Sequence, residues 1–160
     1  MSVLFAVAEA VADELNAFAW GISFTAGSNW GDFDLKLDDA DTGLRVDVVP
    51  AGHEEADLET RGSLRYRTKA DVVLRYRFQP ADNLASGRID PAKIEALALL
   101  AERFVAFLES PDHRRLSAYV NHEAAFASLK VKTLAPRNYL RDHRQFLAIL
   151  QVAYHVSNDL

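Results

Sequence analysis

The sequence predicts an α+β domain in which an antiparallel or mixed sheet of four to five strands carries two main helices and a long hairpin arm. Three observations lead there. Leu64, Tyr66, Thr68, Ala70, Val72, Leu74, Tyr76 and Phe78 share one face of an alternation whose other face holds Arg65, Arg67, Lys69, Asp71, Arg75 and Arg77, which is the period of a strand. Phe146, Ala148, Leu150, Val152, Tyr154 and Val156 alternate through a later segment whose second face, with Leu147 and Ile149, is also apolar. A strand apolar on both faces belongs inside a sheet. Between these two segments, Ile94, Leu97, Ala98, Ala101, Phe104, Val105 and Leu108 recur at helical spacing.

The remaining elements follow in order. Leu4, Val7, Ala8, Val11, Leu15 and Phe18 form the apolar stripe of an N-terminal helix, with Glu9, Asp13 and Asn16 largely opposite and Ser2 as a candidate cap. From Ala19 to Gly43 aromatics stand among Gly, Ser, Asn and Asp, which predicts turns and short extended pieces. Leu44 to Val49 reads as a strand ended by Pro50, and Ala51 to Ser63 as a polar, acidic excursion. The strand that follows would span roughly 50 Å at ~3.3 Å per residue, against ~17–20 Å for a typical strand. Part of it is therefore expected to protrude, or to bend at a bulge. Asp90 and Pro91 supply an N-cap and a first helical residue for the central helix, which Ser110 and Pro111 end. Arg114 to His122 reads as a short helix or an extended piece, and Ser128 to Leu134 as a strand broken by Pro136.

One domain spanning 1–160 suits the length, and such a chain buries roughly 70% of its unfolded surface. Without cysteine there is no disulfide framework, thiolate metal site or cysteine nucleophile, and a reducing interior suits the chain. The net charge of −5 gives no overall attraction to nucleic acid or to an anionic membrane. The apolar N-terminus meets Glu9, Asp13 and Glu14 too early for a signal peptide or a membrane span, so an intracellular protein is expected.

Catalytic patterns are missing from the sequence. His53 with Glu54 and Glu55, His122 with Glu123, and Asp142 with His143 lack the helical spacing that aims two ligands at one metal. There is no nucleophile elbow and no phosphate-binding glycine loop. Asp38, Asp39 and Asp41 have the texture of a calcium loop without its glycine and closing glutamate, and read as a solvated turn. Tyr66 and Tyr76 lie on the face opposite the arginines, so stacking and charge do not coincide for single-stranded nucleic acid, and both rings are assigned to the core. No catalytic residue, cofactor or metal ligand is assigned.

The order of elements carries a resemblance. An amphipathic N-terminal helix, Phe24-Thr25-Ala26, the segment LRVDVVPAG (Leu44 to Gly52), a polar excursion, a long alternating strand, the helix IEALALLAERFVAFL and the closing strand RQFLAILQVAYHV together resemble the tail terminator, or tail completion, proteins of long-tailed phages and tail-like particles. The resemblance implies a virion structural protein without an active site. It would form a ring, usually of six subunits, at the head-proximal end of the tail, stop tube polymerisation and join the tail to the head connector. Its partners would be further copies of itself, the major tail tube protein and the connector or stopper protein, with no membrane and with DNA only passing through. A head completion or neck protein of the same particles is the alternative, and a small-ligand-binding domain or enzyme the further one. Because cyclic rings have heterologous contacts, the acidic residues Glu54, Glu55 and Glu59 of one subunit are expected to meet Arg65, Arg67 and Lys69 of the next.

Overall fold

The computed structural model describes residues 2–29, 34–38, 41–60, 63–119 and 123–159, with the side chains of 55–60, 63–65, 158 and 159 outside the description. Helix α1 (Val3–Asn16) is followed by the short strand β1 (Ala26–Ser28), then β2 (Leu44–Thr60), β3 (Ser63–Arg77), α2 (Pro91–Glu109), β4 (Glu123–Leu134), α3 (Arg137–Asp142) and β5 (Gln145–Asp159). The five strands form one mixed sheet in the order β1-β2-β3-β5-β4. β1 pairs parallel with β2, and every other pairing is antiparallel. The fold is α+β, and β5 lies inside the sheet as its two apolar faces require.

Two sequence expectations need correction. The strand beginning at Leu44 does not stop at Pro50 but runs to Thr60, so the polar segment is strand, paired with β3. A register shift between Pro50 and Gly52 explains why periodicity hid this. Before it, Val46 faces Leu74 and Val48 faces Val72, so even-numbered residues point to the core; after it, His53 faces Thr68 and Glu54 faces Arg67, so even-numbered residues point away. The extra residue turns Glu54 outward where unbroken alternation would have driven it into the core. Proline is tolerated because, among the described residues, β1 covers only Val46 to Val48 of the outer edge. The bulge expected in the long strand thus falls on its partner. The second correction concerns Arg137–Asp142, which forms a short helix unannounced by periodicity, flanked by Ala135 and Arg144 at φ 47° and 49°.

The main core lies on one face of the sheet, under α1 and α2. Val7, Ala8, Val11 and Leu15 of α1 and Leu100, Ala101, Phe104, Phe107 and Leu108 of α2 are buried against Val46, Val48, Ala70, Val72, Leu74, Phe146, Ala148, Leu150, Val152, Tyr154 and Val156 of the strands. Asp90 caps α2 through the Ala92 N–H at 3.0 Å, whereas Ser2 occupies the N-cap position of α1 without a side-chain bond. Trp20 packs among Phe18, Phe24, Phe104 and Phe107 and donates its indole N–H to the Leu15 carbonyl at 2.8 Å, which fixes the chain leaving α1. After a 3₁₀ turn at Pro111–His113 the chain bends at Arg114, bridges β4 among the described residues only through Arg115 and Ala125, and turns again from Leu116 to Tyr119, so this segment is neither a helix nor a continuous strand.

The opposite face is also partly covered. Val73, Leu147 and Ala153 are buried there, and Leu37 is buried with them. The short segment bearing Leu37 is held by Gln145, itself 1% exposed, whose Oε1 accepts the Leu37 N–H at 2.8 Å and whose Nε2 donates to the Leu35 carbonyl at 2.6 Å. Arg75 adds a 2.6 Å bond to the Asp34 carbonyl. One buried amide therefore does for this segment what a neighbouring strand would do. Gln145→Ala should strip partners from two backbone groups and cost about 1–3 kcal/mol. Chemical denaturation measures that loss, and hydrogen exchange should show the Leu37 amide losing protection before the β5 amides.

Candidate functional site

The long pair β2–β3 carries every residue singled out as an interface candidate. β3 is not a free arm, because all fifteen of its residues pair with β5, from Ser63 opposite Asp159 to Arg77 opposite Gln145. The excursion is thus the distal part of a wider blade of β2, β3, β5 and the start of β4.

Of the six candidates, Glu54, Arg67 and Lys69 are described with their side chains, while those of Glu55, Glu59 and Arg65 lie outside the described residues. Glu54 and Arg67 are cross-strand partners in register. The Lys69 ammonium stands 3.3 Å from the Glu54 carboxylate, with 27% and 65% of the two side chains exposed. The acidic and basic residues therefore meet first within one chain. Arg67 donates through Nη2 to the Ser128 hydroxyl of β4 at 2.9 Å and is half-buried, so it ties β3 across β5 to the edge strand.

Farther along the same face, charges alternate in sign. Asp71 accepts from Lys132 at 3.2 Å and from the Gln151 amide at 3.0 Å, and Arg75 pairs with Asp47 at 2.7 Å. The basic stripe of the sequence is interleaved with carboxylates from β2, β3 and nearby turns. Asp41 likewise serves the protein itself: its carboxylate accepts the Asp38 N–H at 2.8 Å and pairs with Arg45 at 2.7 Å. The backbone bond, then Arg45, holds its pKa below the usual carboxylate value. Asp38 and Asp41 thus form a hydrogen-bonded turn, and Asp39 lies outside the described residues.

On the inner face His53 stacks on Tyr66, ring centres 4.4 Å apart, and its Nδ1 is 2.8 Å from the Thr68 hydroxyl. Loss of hydration holds the imidazole pKa below its ordinary 6.5. Tyr66 and Tyr76 are half-buried against the main core, and Tyr76 donates to Asp82 at 2.8 Å; burial first, then Asp82, pushes its pKa up to about 12.

No local sequence pattern announces a buried cluster around Glu14 of α1. Glu14, only 7% exposed, accepts from His113 Nδ1 and from the Ser117 hydroxyl, each at 2.8 Å. Serine and histidine both bind the carboxylate rather than each other, so the serine gains no base; the cluster fastens the segment after α2 to α1. Their distance in sequence, 99 and 103 residues, hides the pairing from any local pattern. His143 stands edge-on to Tyr139, and His122 lies outside the described residues. Among the described residues no three His, Cys, Asp or Glu stand together as a metal set, and no described helix is long and apolar enough to cross a membrane.

A scan of known protein-family models finds no match to this chain, and a search of curated proteins finds no significant relative.

Two outcomes are expected on the blade. Lys69→Glu should change stability by about 0–1 kcal/mol, because the pair reaches solvent, whereas Arg67→Glu should lower the melting temperature further by setting a carboxylate opposite Glu54 and removing the guanidinium link to β4. Thermal unfolding followed by circular dichroism measures both. His53 sets a pH dependence. Its folded form resists protonation, so the unfolded chain binds the proton first and stability falls as pH drops below 6.5. In His53→Gln, melting temperature plotted between pH 7.5 and about 5 should fall less steeply than in the unchanged chain.

Proposed function

We propose that this protein is a ring-forming structural component at the head-proximal end of a phage or phage-like tail tube, where it ends tube polymerisation and offers the surface that joins the tail to the head connector. The observation that carries the reading is the blade. β2 and β3 run far past the part of the sheet that α1 covers, in a chain whose order of elements resembles tail terminators.

β4, and the part of β2 that β1 leaves unpaired, resist indiscriminate strand addition, which suits a subunit that must close a ring rather than grow a fibre. β2 carries Pro50, a bulge and Glu54 along its edge. β4 has register shifts at Phe126/Ser128 and Val131/Thr133 and carries Lys130 and Lys132. Proline, bulges and charges are the usual guards of an edge strand. Copies would then join through side chains, in heterologous contacts that cyclic symmetry closes. The major tail tube protein and the connector or stopper would contact the two faces of the ring, and no cofactor enters the role.

Particles made without this chain decide the matter. Negative-stain images should show tails longer than normal and without heads, and supplying the protein should restore a uniform length. Headless tails of normal length would assign the chain to the neck instead, and unchanged particles would remove it from the assembly.

A further inference from the structure

Four arginines converge at the end of the sheet opposite the distal blade. Arg88, Arg137, Arg141 and Arg144, with Ile89 and Leu140 as an apolar floor, line an open pocket of about 370 Å³ between the turn before α2 and helix α3. The turn is closed by a bridge between Asn83 and Ile89, and Arg144 fastens it by donating to the Asn83 side-chain oxygen and, at 3.5 Å, to the Gly87 carbonyl. Arg144 does so from a left-handed backbone, φ 49°, a conformation that disfavours any residue with a Cβ. Arg141 binds the carboxylate of its neighbour Asp142 at 2.9 Å. Among the described residues the Arg88 and Arg137 guanidinium groups have no hydrogen-bond or ion-pair partner, and both residues are exposed. Of the four guanidinium groups, only that of Arg141 is ion-paired among the described residues, on a chain whose net charge is −5.

The acids lie at the other end. Glu54, Glu55, Asp57 and Glu59 occupy the distal half of β2, and Asp159 ends β5 opposite Ser63. β5 begins at Gln145, next to Arg144, and runs fifteen residues to that acidic end. At ~3.3 Å per residue the two poles stand roughly 50 Å apart, well beyond the reach of any side chain. They cannot meet within one chain.

We propose that the arginine pocket receives the acidic distal end of β2 from a second copy of this chain, making a head-to-tail contact. Guanidinium groups bind carboxylates through paired, geometrically fixed hydrogen bonds, so several of them in one pocket select a cluster of carboxylates over a single ion. The guarded sheet edges leave side-chain contact as the route of association, and charge complementarity supplies its direction. Such a contact joins two different surfaces of the same molecule and therefore closes into a ring when its rotation permits. It also replaces the expected partner of the acidic residues: Lys69 already pairs with Glu54 in its own chain, and Arg67 with Ser128. The contact does not depend on where the assembly acts.

Two charge-reversed chains test it. One carries Arg88→Glu, Arg137→Glu and Arg141→Glu, the other Glu54→Arg, Glu55→Arg, Asp57→Arg and Glu59→Arg. Light scattering coupled to size exclusion should find the unchanged chain in multiples of its mass, while each variant alone, folded by circular dichroism, dissociates at concentrations about tenfold higher or more. Mixing the two variants should restore the original mass, because each altered pole then meets its complement. Variants that retain the mass of the unchanged chain, a mixture that stays dissociated, or an unchanged chain that remains monomeric would each overturn the proposal. So would an unchanged monomer that binds duplex DNA or inorganic phosphate and loses that binding in the arginine variant, which would make the pocket a phosphate site. Tail length plays no part in the readout, so this contact and the proposed function can fail separately.

Discussion

The ladder between β3 and β5 is the constraint from which the rest of the structure follows. Fifteen positions pair without a shift, and the facing pairs Ala70–Val152, Val72–Leu150 and Leu74–Ala148 are all buried. A one-residue slip would send every one of these side chains to the wrong face. Because this central pair tolerates no error, irregularity is displaced to its neighbours, and the bulges sit on β2 and β4 instead. The helices then cover the inner face of a platform whose geometry is already fixed.

The outer face shows how a sheet with one helical layer manages its second side. It is neither a bare solvated surface nor a second full core. Leu37, Val73, Leu147 and Ala153 make a small apolar patch, and around it Asp47, Asp71, Arg75 and Lys132 pair off. Gln145 and Arg75 hold the covering segment by its backbone, which stabilises the patch without another strand. Asp47, Asp71, Arg75 and Lys132 are consequently paired within the chain, whereas the Arg88 and Arg137 side chains, at the turn before α2 and in α3, carry no ion pair among the described residues.

Much of the fold was legible because it rests on period. Alternation located β3 and β5 almost to their ends, and the helical stripe with Asp90 and Pro91 located α2. Illegibility had two physical sources. One was phase: the extra residue at Pro50–Gly52 inverts the alternation, so a seventeen-residue strand reads as a strand and a loop. The other was distance. Gln145 looks like an ordinary polar strand start until its bonds to Leu35 and Leu37 are seen, 110 and 108 residues away. The arginine pocket gathers residues from two loops and a six-residue helix, none periodic, so only the folded chain brings them together.

The bulge after Pro50 also separates two regimes of sequence freedom. Between Leu44 and Pro50 the inward side chains fill the main core, and their size and polarity are fixed by packing. Beyond the bulge no strand among the described residues pairs with the outer edge of β2, and its alternation runs in a phase of its own, so substitutions there answer less to the helices. A single misaligned residue thus works as a firebreak: the outer half of the hairpin is free to diverge toward whatever surface it must match, while the inner half conserves the fold.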